Sequence, residues 1–202
     1  MLKRWIVLAA FIPGCTADQP TPTGFEVSLP LYAQGGNGDF NIGTHLTGDE
    51  EVLTTSPHPS VSLATGQAIF RINAAGTSAD FRLIASNINN VTQAHIHCGL
   101  PGVNGPIAMW LYPESEIGPP PGDAAPSGAG PHDGVLASGT FSLAGVNCPE
   151  AAFGAGVTLL AAMRDGRTYV NVHTNDGVAP ISTGPGDFPI GEIRGRLDDR
   201  DQ

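Results

Sequence analysis

The chain predicts an all-β domain, a β-sandwich or Greek-key barrel with long Gly/Pro-rich loops, on three observations. Short segments of period two recur along it, each the length of one strand. Its 202 residues hold 27 Gly and 18 Pro, too many for a helical bundle and without a collagen-like period, so they mark turns. Only one segment, a turn or two around Val157–Met163 stopped by Gly166, has helical character. The length suits a single domain.

The strands follow in order. Phe40 to Leu46 is the first core strand, and Thr47 to Val52 leads into a loop in which His58 lies between Pro57 and Pro59. Gly66–Asn73 places Ala68, Phe70 and Ile72 on one side, and Ala79, Phe81, Leu83 and Ala85 resume that face after a tight Gly-containing connection, as a hairpin requires. Ala94–Cys98 sets His95 and His97 on one face and Ala94, Ile96 and Cys98 on the other. Ile107–Tyr112 is apolar throughout, like a strand covered on both sides. Residues 113–134 form a long surface excursion ending near His132, and Val135–Leu143 returns as a strand. Arg167–Thr174 turns Thr168, Val170 and Val172 inward and Tyr169, Asn171 and His173 outward. Gly191–Leu197 closes the domain, with Glu192, Arg194 and Arg196 expected as a salt-bridged outer face, and residues 199–202 as a frayed tail.

The termini and the charge bound the partners. Residues 1–14, with Lys3 and Arg4 before an apolar run, have the form of an export signal, and Pro13-Gly14-Cys15 resembles a lipoprotein cleavage box with Cys15 as the lipidated residue. The expectation is an exported protein, either freely secreted or anchored to a membrane through Cys15, with residues 15–39 as a tether and possible edge strand near Phe25–Leu31. The net charge of -10 becomes -12 without residues 1–14, which carry two bases and no acid, and Lys3 is the sole lysine. No basic patch is available to neutralise phosphates, so nucleic acid is excluded as a partner. Besides Cys15, the cysteines are Cys98 and Cys148, which in an oxidising compartment would pair. The rival reading makes Cys98 a metal thiolate, although it faces away from the histidines.

Several of these segments resemble the CHRD domain, named after chordin and found singly in many bacterial exported proteins. The matching pieces are Leu46-Thr47-Gly48-Asp49-Glu50-Glu51-Val52, the Gly66–Asn73 and Ala79–Leu83 hairpin, Ala94-His95-Ile96-His97 with Gly99, Gly102, Gly105 and Pro106, Tyr169–Thr174, and Gly191-Glu192-Ile193-Arg194-Gly195, spanning about residues 40–198. The resemblance implies an immunoglobulin-like β domain and carries no settled biochemical role. The stretches 113–134 and 175–190 look expanded relative to the family pattern.

His95, His97 and His173 together could hold Cu or Zn, for which neutral imidazole is a suitable ligand, with Glu192 as a fourth ligand or as acceptor for an imidazole N–H. The alternatives are a clamp, in which the histidines hydrogen-bond the Gly99–Gly105 loop, and proton transfer. Tyr169, Asn171 and His173 would form a polar binding surface if the loops leave them open. Asp123, Asp133, Asp165, Asp176 and Asp187 sit near glycines but lack calcium-loop spacing. Three functional classes follow: an extracytoplasmic binding or structural module, a copper or zinc protein, and a metal-dependent oxidoreductase.

Overall fold

The computed structural model describes residues 38–54, 56–113 and 125–198. The export segment, Cys15, the strand expected near Phe25–Leu31, Asp123 and the tail at 199–202 lie outside them.

Among the described residues eight strands form in chain order: β1 (Phe40–Thr47), β2 (Thr65–Ile72), β3 (Ser78–Asn89), β4 (Val91–Cys98), β5 (Ile107–Tyr112), β6 (Pro131–Ser142), β7 (Thr168–Thr174) and β8 (Ile193–Leu197). They make one sheet in the order β5-β4-β7-β8-β1-β2-β3-β6, every ladder antiparallel. The edge strands β5 and β6 approach each other, so the sheet curls into a nearly closed barrel. The expected hairpin is β2–β3, with Phe70 opposite Phe81.

The period-two faces resolve as expected. Ala68, Phe70, Ile72, Phe81, Leu83, Ala94, Ile96, Val170, Val172, Ile193 and Leu197 share one buried apolar cluster. Phe70, Phe81 and Phe141 meet inside it with ring centroids 5.9–6.3 Å apart. The expected helical turn is the later of two short helices, α1 (Glu150–Phe153) and α2 (Leu159–Arg164). Thr158 caps α2 by accepting from the Ala161 N–H at 3.2 Å, and Leu159, Ala162 and Met163 bury its apolar side. The long excursion is shorter than its composition suggests, because β6 already begins at Pro131 and includes the half-buried His132.

Cys98 and Cys148 form a disulfide, fastening the core-facing end of β4 to the loop after β6. A Cys98 thiolate ligand is thereby ruled out. Closure between β1 and β8 depends on Gly195, where a Cβ would collide with the His45 carbonyl oxygen and stand 2.7 Å from Thr44 Oγ1. Any side chain there would push β8 off β1 and disturb the register that sets Thr47 opposite Arg194.

Candidate metal centre

The sheet brings the three histidines together on its outer side. In β4, His95 and His97 point away from the core that takes Ala94, Ile96 and Cys98. The β4–β7 register pairs His95 with Asn171, His97 with Tyr169 and Gln93 with His173, so His173 stands diagonally from His95. Ligand atoms of all three lie within 4.8 Å of one another, a cluster capable of coordinating a metal ion.

Outer does not mean open here. His95, His97 and His173 are only 1%, 8% and 6% exposed, because aromatic rings and two loops cover them. Trp110 of β5 meets His95 edge-on at 4.1 Å between centroids. Tyr169 stacks flat on His97 at 4.8 Å, and the Arg194 guanidinium lies over the other side of Tyr169 at 3.4 Å. Tyr169 and Asn171 are buried too, at 3% each, so the polar surface expected of them with His173 is roofed over.

Hydrogen bonds fix how each ring presents itself. His97 Nδ1 lies 2.9 Å from the Gly105 carbonyl oxygen and His173 Nδ1 lies 3.1 Å from that of Pro189. A carbonyl can only accept, so both Nδ1 atoms carry the proton and both Nε2 atoms keep a lone pair. His95 Nδ1 stands 3.1 Å from His173 Nε2 and must donate to it. The Nε2 atoms of His95 and His97 are buried with no partner among the described residues. The clamp and the metal readings therefore use opposite sides of the same rings. In His97 and His173 one nitrogen holds a loop and the other remains for an ion, as carbonyls behind the ligands arrange it in metal sites.

Charge state follows from burial. Desolvation lowers the pKa of all three, with His173 and His97 adding like-charge repulsion on His95, and His97 falls to about 4. All three are neutral near pH 7, the form a metal requires.

Gly105 makes the first clamp possible. A Cβ there would overlap the Cys98 carbonyl, so only glycine lets the loop turn back onto β4. Arg194 then holds that loop, donating to Asn104 Oδ1 at 2.7 Å and to the Val103 carbonyl at 2.9 Å, while the Gly105 N–H donates to Tyr169 Oη at 3.0 Å.

Glu192 is placed differently from the expectation. Its buried carboxylate accepts from Ser62 Oγ at 2.5 Å, Thr174 Oγ1 at 2.6 Å and the Gly186 N–H at 2.9 Å, and the metal-capable cluster does not include it. The acceptor for the His173 N–H is the Pro189 carbonyl. The salt-bridged face expected of Glu192, Arg194 and Arg196 is likewise replaced: Arg194 serves the 103–104 loop, and Arg196 donates to the Gly166 carbonyl at 2.7 Å.

The model of the family described as CHRD domain matches residues 42–197. The chain belongs to the CHRD family. No curated protein and no solved structure matches it. All three histidines, the glycine at 105 and the glycine at 195 fall inside the CHRD domain. So do Trp110, which reads as a plain core residue in an apolar run, and Glu51, which reads as one of several loop acids; the sequence holds no signal that either would be buried on the outer face.

Proposed function

We propose that the chain is an exported binding module whose CHRD domain holds one copper or zinc ion on His95, His97 and His173. The observation that carries this reading is the convergence of the three rings, with ligand atoms within 4.8 Å of one another, while the Gly105 and Pro189 carbonyls hold His97 and His173 at Nδ1 and leave their Nε2 lone pairs turned to the cluster. The spacing also fits: two nitrogens bound to one tetrahedral zinc at about 2.05 Å stand about 3.3 Å apart. His95 Nδ1 and His173 Nε2 are 3.1 Å apart, so an ion between them would replace the hydrogen bond they share, with the His95 proton moved to its Nε2. His97 Nε2 supplies a third donor. Rings with so little exposure favour a retained ion over turnover of a substrate, so the binding role stands ahead of oxidoreductase chemistry. Export is supported by residues 1–14 and by the Cys98–Cys148 bond, which suits an oxidising compartment. A lipid on Cys15 would be its attachment to a membrane.

Elemental analysis of protein produced with copper and zinc available tests the reading. The expected result is one ion per chain, lost in His97→Ala. Absence of any ion, together with no binding when the metal-free protein is titrated, would end the proposal.

A further inference from the structure

The number of donors limits which ion the histidine cluster can hold. Among the described residues it consists of three imidazoles, with no carboxylate and no thiolate. The neighbours that could add a fourth donor are engaged elsewhere. Glu192 accepts from Ser62, Thr174 and the Gly186 N–H, and Cys98 is bonded to Cys148. Tyr169 lays its ring on His97 while its hydroxyl serves the Gly105 N–H, and Asn171, opposite His95 in the ladder, turns its amide to Gly191 and Glu51. Water is the usual fourth ligand of an open site, but these rings are buried under Trp110 and Tyr169.

Charge sets a second limit. Three neutral imidazoles bring nothing negative to offset an ion, and Arg194 places a cation over the Tyr169 that stacks on His97. Glu51, the buried carboxyl that interacts with Arg194, at most cancels it. The cost of burying an ion rises with the square of its charge, so a divalent ion without a counter-charge costs about four times what a monovalent ion of the same size does. Zinc in closed sites is almost always four-coordinate, and Cu(II) takes tetragonal sites of four or more donors. Cu(I), with a filled d shell and a single charge, is satisfied by three nitrogens.

We propose that the cluster selects copper in its monovalent state, held by His95, His97 and His173 alone, over both zinc and Cu(II). The assignment rests on the three-histidine metal reading and adds the identity and oxidation state of the ion. The aromatic cover is then part of the selectivity, because it denies a divalent ion the water that would complete its coordination.

The test is a competition titration of the metal-free full chain carrying Cys15→Ser, which leaves no thiol outside the disulfide. Cu(I) is added without oxygen against bicinchoninate, and Zn(II) and Cu(II) against chelators of their own. One Cu(I) per chain is expected, lost in His97→Ala and bound about a hundred-fold or more tighter than Zn(II). Copper K-edge absorption should show three nitrogen neighbours. Trp110→Ala, which uncovers His95, should narrow the preference over Zn(II) by about ten-fold, and Trp110→Phe should keep it. Three results overturn the selectivity and leave the metal reading standing: Zn(II) or Cu(II) bound as tightly as Cu(I), a fourth neighbour at Cu(I), or an unchanged preference in folded Trp110→Ala. Failure of all three ions to bind would end both.

Discussion

His97 shows how one side chain serves two purposes through its two nitrogens, and the same burial that isolates it sets a pH response. The folded pKa of each cluster histidine lies below the usual 6.5, so their contribution to stability is complete above that value and is lost as pH falls through it toward the folded values, about 4 for His97. Three histidines that charge only on unfolding remove up to about 4 kcal/mol per pH unit once the unfolded chain is protonated. The metal-free protein should therefore melt at a steeply falling temperature between pH 6.5 and 5, as differential scanning calorimetry would show. A flat profile would mean that the rings are hydrated and already charged. Glu51 works in the opposite sense, since burial raises its pKa from 4.5 to about 7 against the pull of Arg194. Its neutral folded form is stable at low pH, and that advantage is lost as pH rises through about 7. Glu51→Gln should remove roughly 3 kcal/mol of alkaline destabilisation, measured as a smaller difference in unfolding free energy between pH 5 and pH 9.

At the scale of elements, the loops decide what the strands can present. The strand between residues 91 and 98 and the one between 168 and 174 were readable from alternation alone, and alternation was enough to put three imidazoles on one side of the sheet. The roof was not readable, because the partners of Gly105, Pro189, Asn104 and Arg194 lie 8 to 91 positions away along the chain and depend on register. Glu192 illustrates the difference. Its outward position suggested a ligand, whereas its carboxylate ties the 183–191 loop to Ser62 and Thr174, and Thr174 Oγ1 in turn accepts from the Phe188 N–H at 2.9 Å. That loop delivers the Pro189 carbonyl to His173, so Glu192 is a positioning residue. Glu192→Gln should lower metal affinity by about 10- to 100-fold, as losing a group that orients a ligand does, and should shift the His173 ring toward a mixture of tautomers in nitrogen NMR. Reduced affinity with an unchanged tautomer would assign Glu192 to direct coordination instead.

At the scale of the whole molecule, two features of the barrel meet in the same region, a covalent bond and a histidine cluster capable of coordinating an ion. The Cys98–Cys148 bond fixes the inner side of the β4 terminus across 50 residues of chain, and the histidine cluster joins β4 to β7 on the outer side. Loop-closure entropy assigns a bond of that span about 4 kcal/mol. An ion at a hundred-fold excess over its dissociation constant contributes about 2.7 kcal/mol. At that excess the covalent term is the larger, so metal does not fully replace it. His95 and His97 are nonetheless held by ladders to β5 and β7, which do not involve the sulfurs. In Cys98→Ser/Cys148→Ser the site should survive while the fold weakens. Denaturant unfolding should then place the variant with metal between the oxidised metal-free protein and the metal-free variant, and its metal affinity at low temperature should stay within a few-fold of the parent. Complete rescue by metal, or loss of metal binding in a variant that is still folded, would show that the two sides of β4 are one coupled unit rather than separate supports.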